Sequence, residues 1–196
     1  MLQSFVVSTS LVALAEIGDK TQLLSLILAA RYRKPLPIVL GVLVATLVNH
    51  ACAGGLGVWL SAVLNPNLLN WAVVLSFVLM AGWILVPDKL DEGEIASPKR
   101  AMGVFGATVF AFFLAEMGDK TQIVTIALAA RFHNFYWVVA GTTLGMMLAN
   151  APVIYLGNRF AVRLPTKAVH RIAALIFVVL GGLALMHALN GTPLTS

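Results

Sequence analysis

Cysteine and charge are both scarce in this chain. Its single cysteine, Cys52, excludes an intrachain disulfide and a thiolate-rich metal site. Only 11% of the 196 residues are charged, and just eight are acidic. A soluble domain carries about 25% charged and about 45–50% apolar residues. Here the apolar share is 60% and the mean hydropathy +0.92, which excludes a soluble globular domain. The chain is therefore expected to be integral to the lipid bilayer. The net charge of +5 is no nucleic-acid signal, because the basic residues lie in short loops between apolar segments. No nucleic-acid partner is expected. The first apolar segment has no basic n-region before it, so no cleavable signal peptide is expected. The strand alternation of a membrane barrel is also missing.

What is present is a set of long apolar runs, at about 4–30, 36–63, 68–86, 102–130, 136–158 and 169–189. Turn and charge signals separate them: Arg31 to Pro35, Asn65-Pro66-Asn67, Pro87 to Arg100, Arg131 to Asn134, and Arg163 to Pro165. Each run reaches the ~20 residues that a helix needs to cross the hydrocarbon core. Backbone polar groups cannot be left unpaired in lipid, so these runs are predicted helices. The fold class is all-α, with six transmembrane helices.

The chain also repeats itself. Leu14–Arg31 and Leu114–Arg131 agree at 12 of 18 positions, and Gly41, Leu56-Gly57 and Gly82 recur 100 residues later. Residues 1–86 and 101–196 read as two three-helix repeats joined by a linker at 87–100. Three spans per repeat put the second half into the membrane upside down, the inverted arrangement of many secondary transporters. If loops alternate sides, ten Lys/Arg fall on one face and only Arg131 on the other. The positive-inside rule makes the linker cytoplasmic and puts both termini outside. Trp59, Trp71, Tyr136 and Trp137 sit near segment ends on the outer side, as an aromatic belt does.

Inside the repeat lies LAEIGDKTQ, Leu14 to Gln22, and again LAEMGDKTQ, Leu114 to Gln122. Every acidic residue outside the linker belongs to these motifs: Glu16, Asp19, Glu116 and Asp119. Ionisable groups at bilayer depth are costly and mark ion, proton or substrate handling. The i, i+3 spacing puts Glu16 and Asp19 on one helix face, with Gln22 one step on. Gly18 and Gly118 weaken the helix, and a break there would offer backbone carbonyls as further ligands. Glu16 lies about 18 Å into its helix, near the middle of a ~30 Å core. Glu116 reaches similar depth from the other face, so an inverted repeat gathers four carboxylates. Carboxylate, amide, hydroxyl and carbonyl oxygens suit hard cations such as Mg²⁺, Ca²⁺ or Mn²⁺, whereas zinc or copper calls for His or Cys. Without a cation, some of these carboxylates must take up protons, the physical basis of cation/proton exchange.

Thr21, Thr121, Gln22 and Gln122 are further candidate ligands. Lys20 and Lys120 either lower the net charge of the whole site or each neutralise one carboxylate. Asn49 and His50, with Asn150 at the repeat equivalent of His50, either line the path or hydrogen-bond between helices. Ser25 and Thr125 are expected to back-bond to their own helices. Gly41-xxx-Ala45 and Gly141-xxx-Gly145 read as close helix-packing faces, and Cys52, Met146 and Met147 as packing residues. Two other classes compete with an exchanger. One is an intramembrane enzyme acting on lipid phosphate, for which neither motif supplies a phosphate-gripping Arg. The other is a small amino-acid exporter, in which Lys20 or Lys120 would pair with the substrate carboxylate.

Glu16-Ile-Gly-Asp-Lys-Thr21 and Glu116-Met-Gly-Asp-Lys-Thr121 in a chain of this length resemble the twin motifs of the Mn²⁺/Ca²⁺ cation:proton exchanger family. That family includes bacterial manganese exporters and relatives in the Golgi and chloroplast. The resemblance covers the whole chain. It implies a transporter, not an enzyme, that exports Mn²⁺, or else Ca²⁺, against protons. The motif carboxylates would be its ion site, and it would have no cofactor besides the transported ion. With no amino-terminal targeting extension, it also implies a bacterial inner (plasma) membrane protein.

Overall fold

The computed structural model describes residues 1–86, 102–157 and 166–190, and among these every regular element is helical. The helices are α1 (Leu2–Glu16), α2 (Lys20–Tyr32), α3 (Pro35–Val63), α4 (Pro66–Trp83), α5 (Gly103–Glu116), α6 (Lys120–Phe132), α7 (Phe135–Leu156) and α8 (Thr166–Leu189). The linker at 87–100 and the break at Arg163 to Pro165 lie outside the described residues. Four helices, α3, α4, α7 and α8, are long and apolar enough to cross a membrane. The apolar α1 and α5 are shorter, at 15 and 14 residues.

The expected continuous runs 4–30 and 102–130 are thus each two helices. The chain leaves α-geometry at Ile17 and Met117, which are extended, and passes through Gly18 at φ 85° and Gly118 at φ 75°. That left-handed region is cheap only without a Cβ, so the glycine of each motif sets the break. Asp19 and Asp119 then stand at the N-caps of α2 and α6. The far ends of α2 and α6 are closed by Arg33 and His133, both left-handed, whose N–H groups reach Ala29 and Ala129 carbonyls at 3.0 Å.

Packing recurs at the repeat spacing. α1 lies along α7, α5 lies along α3, and α4 lies along α8. The small-residue faces make the first two contacts. A Cβ on Gly41 would stand 2.7 Å from Thr108 Cβ and 3.0 Å from the Phe105 carbonyl. One on Gly141 would meet the Phe5 carbonyl at 2.6 Å and Ser8 Cβ at 3.0 Å, the same neighbours 100 residues displaced. Phe77 and Phe177, also equivalent, join α4 to α8 with ring centroids 6.2 Å apart. Polarity runs inside out. Leu40, Val44, Leu75, Leu79, Leu175 and Val179 are exposed, whereas Glu16, Asp19, Glu116, Asp119 and Lys120 are buried. Such a surface suits lipid, and the protein is integral to the membrane. Trp59, Trp71, Tyr136 and Trp137 are all on that surface. So is Cys52, which is exposed and not the packing residue expected. Met146 is buried, and Met147 packs at the edge of the core.

Because Gly41 and Gly141 touch neighbouring backbone, a side chain there must push two helices apart. Gly41→Val and Gly141→Val are each expected to destabilise the protein by roughly 1–3 kcal/mol. Gly82→Ala, where an added Cβ meets nothing within 4 Å, should stay near wild type. Thermal midpoints of the detergent-purified variants check this contrast.

Candidate ion site

The two breaks meet inside the bundle. α1 and α5 end on Glu16 and Glu116, and α2 and α6 begin just after Asp19 and Asp119. Glu16, Glu116 and Asp119 each place one carboxylate oxygen within 4.8 Å of the others, and all three are buried. Asp19 is buried beside them but outside that set, with its Oδ1 3.4 Å from the ammonium of Lys120. The four expected carboxylates therefore form a group of three and one held by a lysine. The reciprocal pair is looser, Lys20 Nζ lying 3.9 Å from Asp119 Oδ1. Each lysine thus faces the aspartate of the opposite motif. Lys120 is almost fully enclosed, its side chain 2% exposed against 15% for Lys20.

Hydroxyls orient the glutamates. Thr21 Oγ1 donates to Glu16 Oε2 at 2.5 Å, and Thr121 Oγ1 lies 3.1 Å from Glu116 Oε2 and 3.3 Å from Asp119 Oδ2. Glu116 Oε1 is buried with no hydrogen-bond partner in the protein. A buried carboxylate oxygen aimed at nothing is costly unless a ligand completes it. The C-terminal ends of α1 and α5 add partial negative charge beside the group. The N-termini of α2 and α6 bring the opposite partial charge to the same place, so it is the hard oxygens and converging carboxylates that favour a cation.

The remaining candidates divide. Gln22 and Gln122 do not offer their oxygens freely, because each Oε1 accepts from the glycine N–H of its own break, at 3.0 Å from Gly18 and 2.9 Å from Gly118. Gln22 Nε2 also donates to the Ala149 carbonyl at 3.1 Å. Asn49 Nδ2 donates to the Phe113 carbonyl at 3.2 Å, an interhelical bond. Asn150 Oδ1 accepts from Ser25 Oγ at 2.7 Å, so Ser25 does not back-bond as expected, whereas Thr125 does, to the Thr121 carbonyl at 2.7 Å. Asn150 Nδ2 lies 3.0 Å from Met146 Sδ. His50 is fully buried, and neither ring nitrogen has a partner in the protein.

One contact escaped the sequence reading. His170 of α8 places Nε2 2.6 Å from the carbonyl of Ile17, in the first break. A carbonyl only accepts, so Nε2 carries the proton. The Ile17 carbonyl that the break exposes is thus held by α8 through one hydrogen bond. The available signal was the repeat itself, because position 170 is the equivalent of Asn70, a buried polar residue on α4.

A lipid-embedded helical bundle with a buried carboxylate group between two helix breaks is a membrane transporter for a cation. Comparison with known proteins agrees. A family model described as "Divalent cation/proton antiporter GDT1" matches residues 4–92 and again 104–192, and the chain belongs to that family. The chain is 51% identical over 175 residues to a Vibrio cholerae protein named "Putative manganese exporter", covering 89% of this chain and 86% of that one. A GDT1-like protein of Synechocystis is 32% identical, with 90% of this chain and 94% of that one covered. A rice protein, GDT1-like protein 3, is 28% identical over 87% of this chain and 69% of its own length. No solved structure matches. The protein is a transporter and not an enzyme, which removes the lipid-phosphate alternative, and a divalent-cation family leaves no role for an amino-acid substrate.

Two outcomes test the geometry. Glu16→Gln, Asp19→Asn, Glu116→Gln and Asp119→Asn should each abolish divalent-cation flux in proteoliposomes while keeping a monodisperse size-exclusion peak. Wild-type flux in any two would exclude the site. His170→Leu removes one hydrogen bond worth about 0.5–1.5 kcal/mol, so flux should fall several-fold. His170→Gln, whose Nε2 sits close to that of histidine, should recover most of it.

Proposed function

We propose that this protein exchanges a divalent cation, Mn²⁺ before Ca²⁺, for protons and exports the cation from the cytoplasm. The observation that carries this reading is the buried set Glu16, Glu116 and Asp119 beside Asp19, with Lys20 and Lys120 paired across the motifs. Four carboxylates and two ammonium groups sum to −2 when all are ionised. One divalent cation brings the site to zero, and so do two protons. A bare double charge out of water costs several kcal/mol or more, so the two neutral forms are the ones that cross between faces. The consequence is obligatory exchange of one cation for two protons with little net charge moved. The oxygen-only ligand set suits Mn²⁺ and Ca²⁺ alike, and the order given to them follows from the name of the Vibrio cholerae relative.

The chain spans the membrane six times, as two inverted repeats at 1–86 and 101–196 joined by a cytoplasmic linker at 87–100. Both α1–α2 and α5–α6 count as broken spans. The doubled family match and the packing equivalences at an offset of 100 support this division. Both termini lie outside the cytoplasm, and the membrane is the bacterial inner membrane.

Flux in proteoliposomes with a panel of divalent cations, an imposed pH gradient and a potential clamped with potassium and valinomycin tests the exchange. Mn²⁺ movement should follow the pH gradient and ignore voltage. Strong voltage dependence would reject the charge balance, and Ca²⁺ flux exceeding Mn²⁺ flux would reverse the cargo. Thiol labelling in a Cys52→Ser background should find position 33 cytoplasmic, and position 66 and both termini outside. A cytoplasmic amino terminus would overturn the orientation.

A further inference from the structure

The two halves carry nearly the same motif helix, yet α2 and α6 sit differently on their partners. α2 is fastened to α7 near the ion site, by Gln22 Nε2 on the Ala149 carbonyl at 3.1 Å and Ser25 on Asn150 at 2.7 Å. Beyond that point the two separate around a cavity of about 550 Å³ lined by Leu26, Ala29, Ala30, Ile154, Leu156 and Gly157. Ala30 is exposed, and among the described residues a Cβ on Gly157 would meet nothing within 4 Å.

The other half shows the converse. At the far end α6 is pressed onto α3. A Cβ on Gly57 would collide with the Ile126 carbonyl and stand 2.9 Å from Ala129 Cβ, and Ala129 and Ala130 are 0% and 3% exposed. Near the ion site the equivalent polar bond is absent. Thr125, the counterpart of Ser25, turns back to Thr121, and His50, the counterpart of Asn150, is buried with both nitrogens unpartnered.

We propose that these are two gates in opposite states: Gly57 with Ala129 and Ala130 is closed, and Gly157 with Ala29 and Ala30 is open. The transport cycle exchanges their states. In the reciprocal conformation α2 closes its Ala29–Ala30 end onto Gly157 of α7. α6 withdraws from Gly57, and Thr125 reaches His50 as Ser25 now reaches Asn150. The unpartnered His50 is then a group left waiting in this state for the bond it makes in the other. Two packings of equivalent segments with complementary bonds made and broken are what a bistable element requires. α2 runs from the site toward Arg31 and Arg33, so the open gate faces the side that bears them. The inference rests on the transport reading above, which makes that side the cytoplasm.

The full-length protein with Cys52→Ser, in proteoliposomes, tests the gates. Ala30→Phe fills the open seam from an exposed position, so the present packing is kept and only the reciprocal state is blocked. Mn²⁺ flux should fall at least about tenfold while the size-exclusion peak stays monodisperse. In parallel, Ala130→Cys reports the closed gate. Its modification by a hydrophilic methanethiosulfonate, with Mn²⁺ and a pH gradient present, should be at least about tenfold slower when Ala30→Phe is added. Wild-type flux in Ala30→Phe, or equal modification of Ala130→Cys with and without it, overturns the proposal. Should Ala30→Phe not stay monodisperse, Ala30→Leu carries the same comparison. If the parent moves no divalent cation but the labelling contrast persists, the transport reading fails and the gates stand.

Discussion

Charge taken out of water must be compensated by the protein itself, and in this fold each half compensates the other. Lys120 faces Asp19 and Lys20 faces Asp119, so the ammonium of one motif stands beside the carboxylate of its twin. Neither half could bury its own Glu-x-Gly-Asp-Lys on these terms alone. A buried ion pair contributes little net stability against an apolar alternative, but removing one partner is severe. The pairs therefore act as a condition on assembly: the two breaks must lie side by side. The close contacts of Gly41 with α5 and of Gly141 with α1 are what bring the backbones near enough.

The glycine breaks turn that condition into a gathered carboxylate group. A continuous helix would bury every carbonyl in its own ladder and present Glu16 and Asp19 only as side chains on one stripe. Breaking at Gly18 and Gly118 puts each glutamate at a helix end and each aspartate at the next helix start. Each break thus brings a helix C-terminus and a helix N-terminus, of opposite partial charge, to the carboxylates. The exposed backbone is not left to solvate the ion at random: Gln22 and Gln122 take the glycine N–H groups, and His170 takes the Ile17 carbonyl. The carboxylates stay available because the amides and the imidazole do the holding.

An exchanger needs access from both faces, and a repeated motif offers the same segment twice in opposite orientations. α2 and α6 share the motif sequence, but α6 lies tightly on α3 whereas α2 parts from α7 at its far end. Gly57 and Gly157 occupy equivalent positions, one against the backbone of α6 and one with no described neighbour within 4 Å of an added Cβ. Small residues at both seams allow helix backbones to meet without a side chain to displace, so little stands between the two packings.

The amino-acid sequence alone determined the solvent, the class and the chemistry. An apolar share of 60% with eight acidic residues admits only a membrane protein, and the acids outside the linker are all in the motifs. The break at glycine and the packing role of Gly41 and Gly141 were also legible, because both follow from the absence of a Cβ. Such properties are local or additive, so they can be summed along the chain. What the sequence could not decide was which polar group meets which. That Asp19 meets Lys120 of the opposite motif, that Ser25 leaves its own helix for Asn150, and that His170 reaches back 153 residues to Ile17 are tertiary outcomes. Cys52 on the surface is another, because its helix face is set by what packs against α3. In a dry interior each polar group takes whatever complementary atom the fold brings within about 3 Å. Only the three-dimensional arrangement of the helices decides which atom that is.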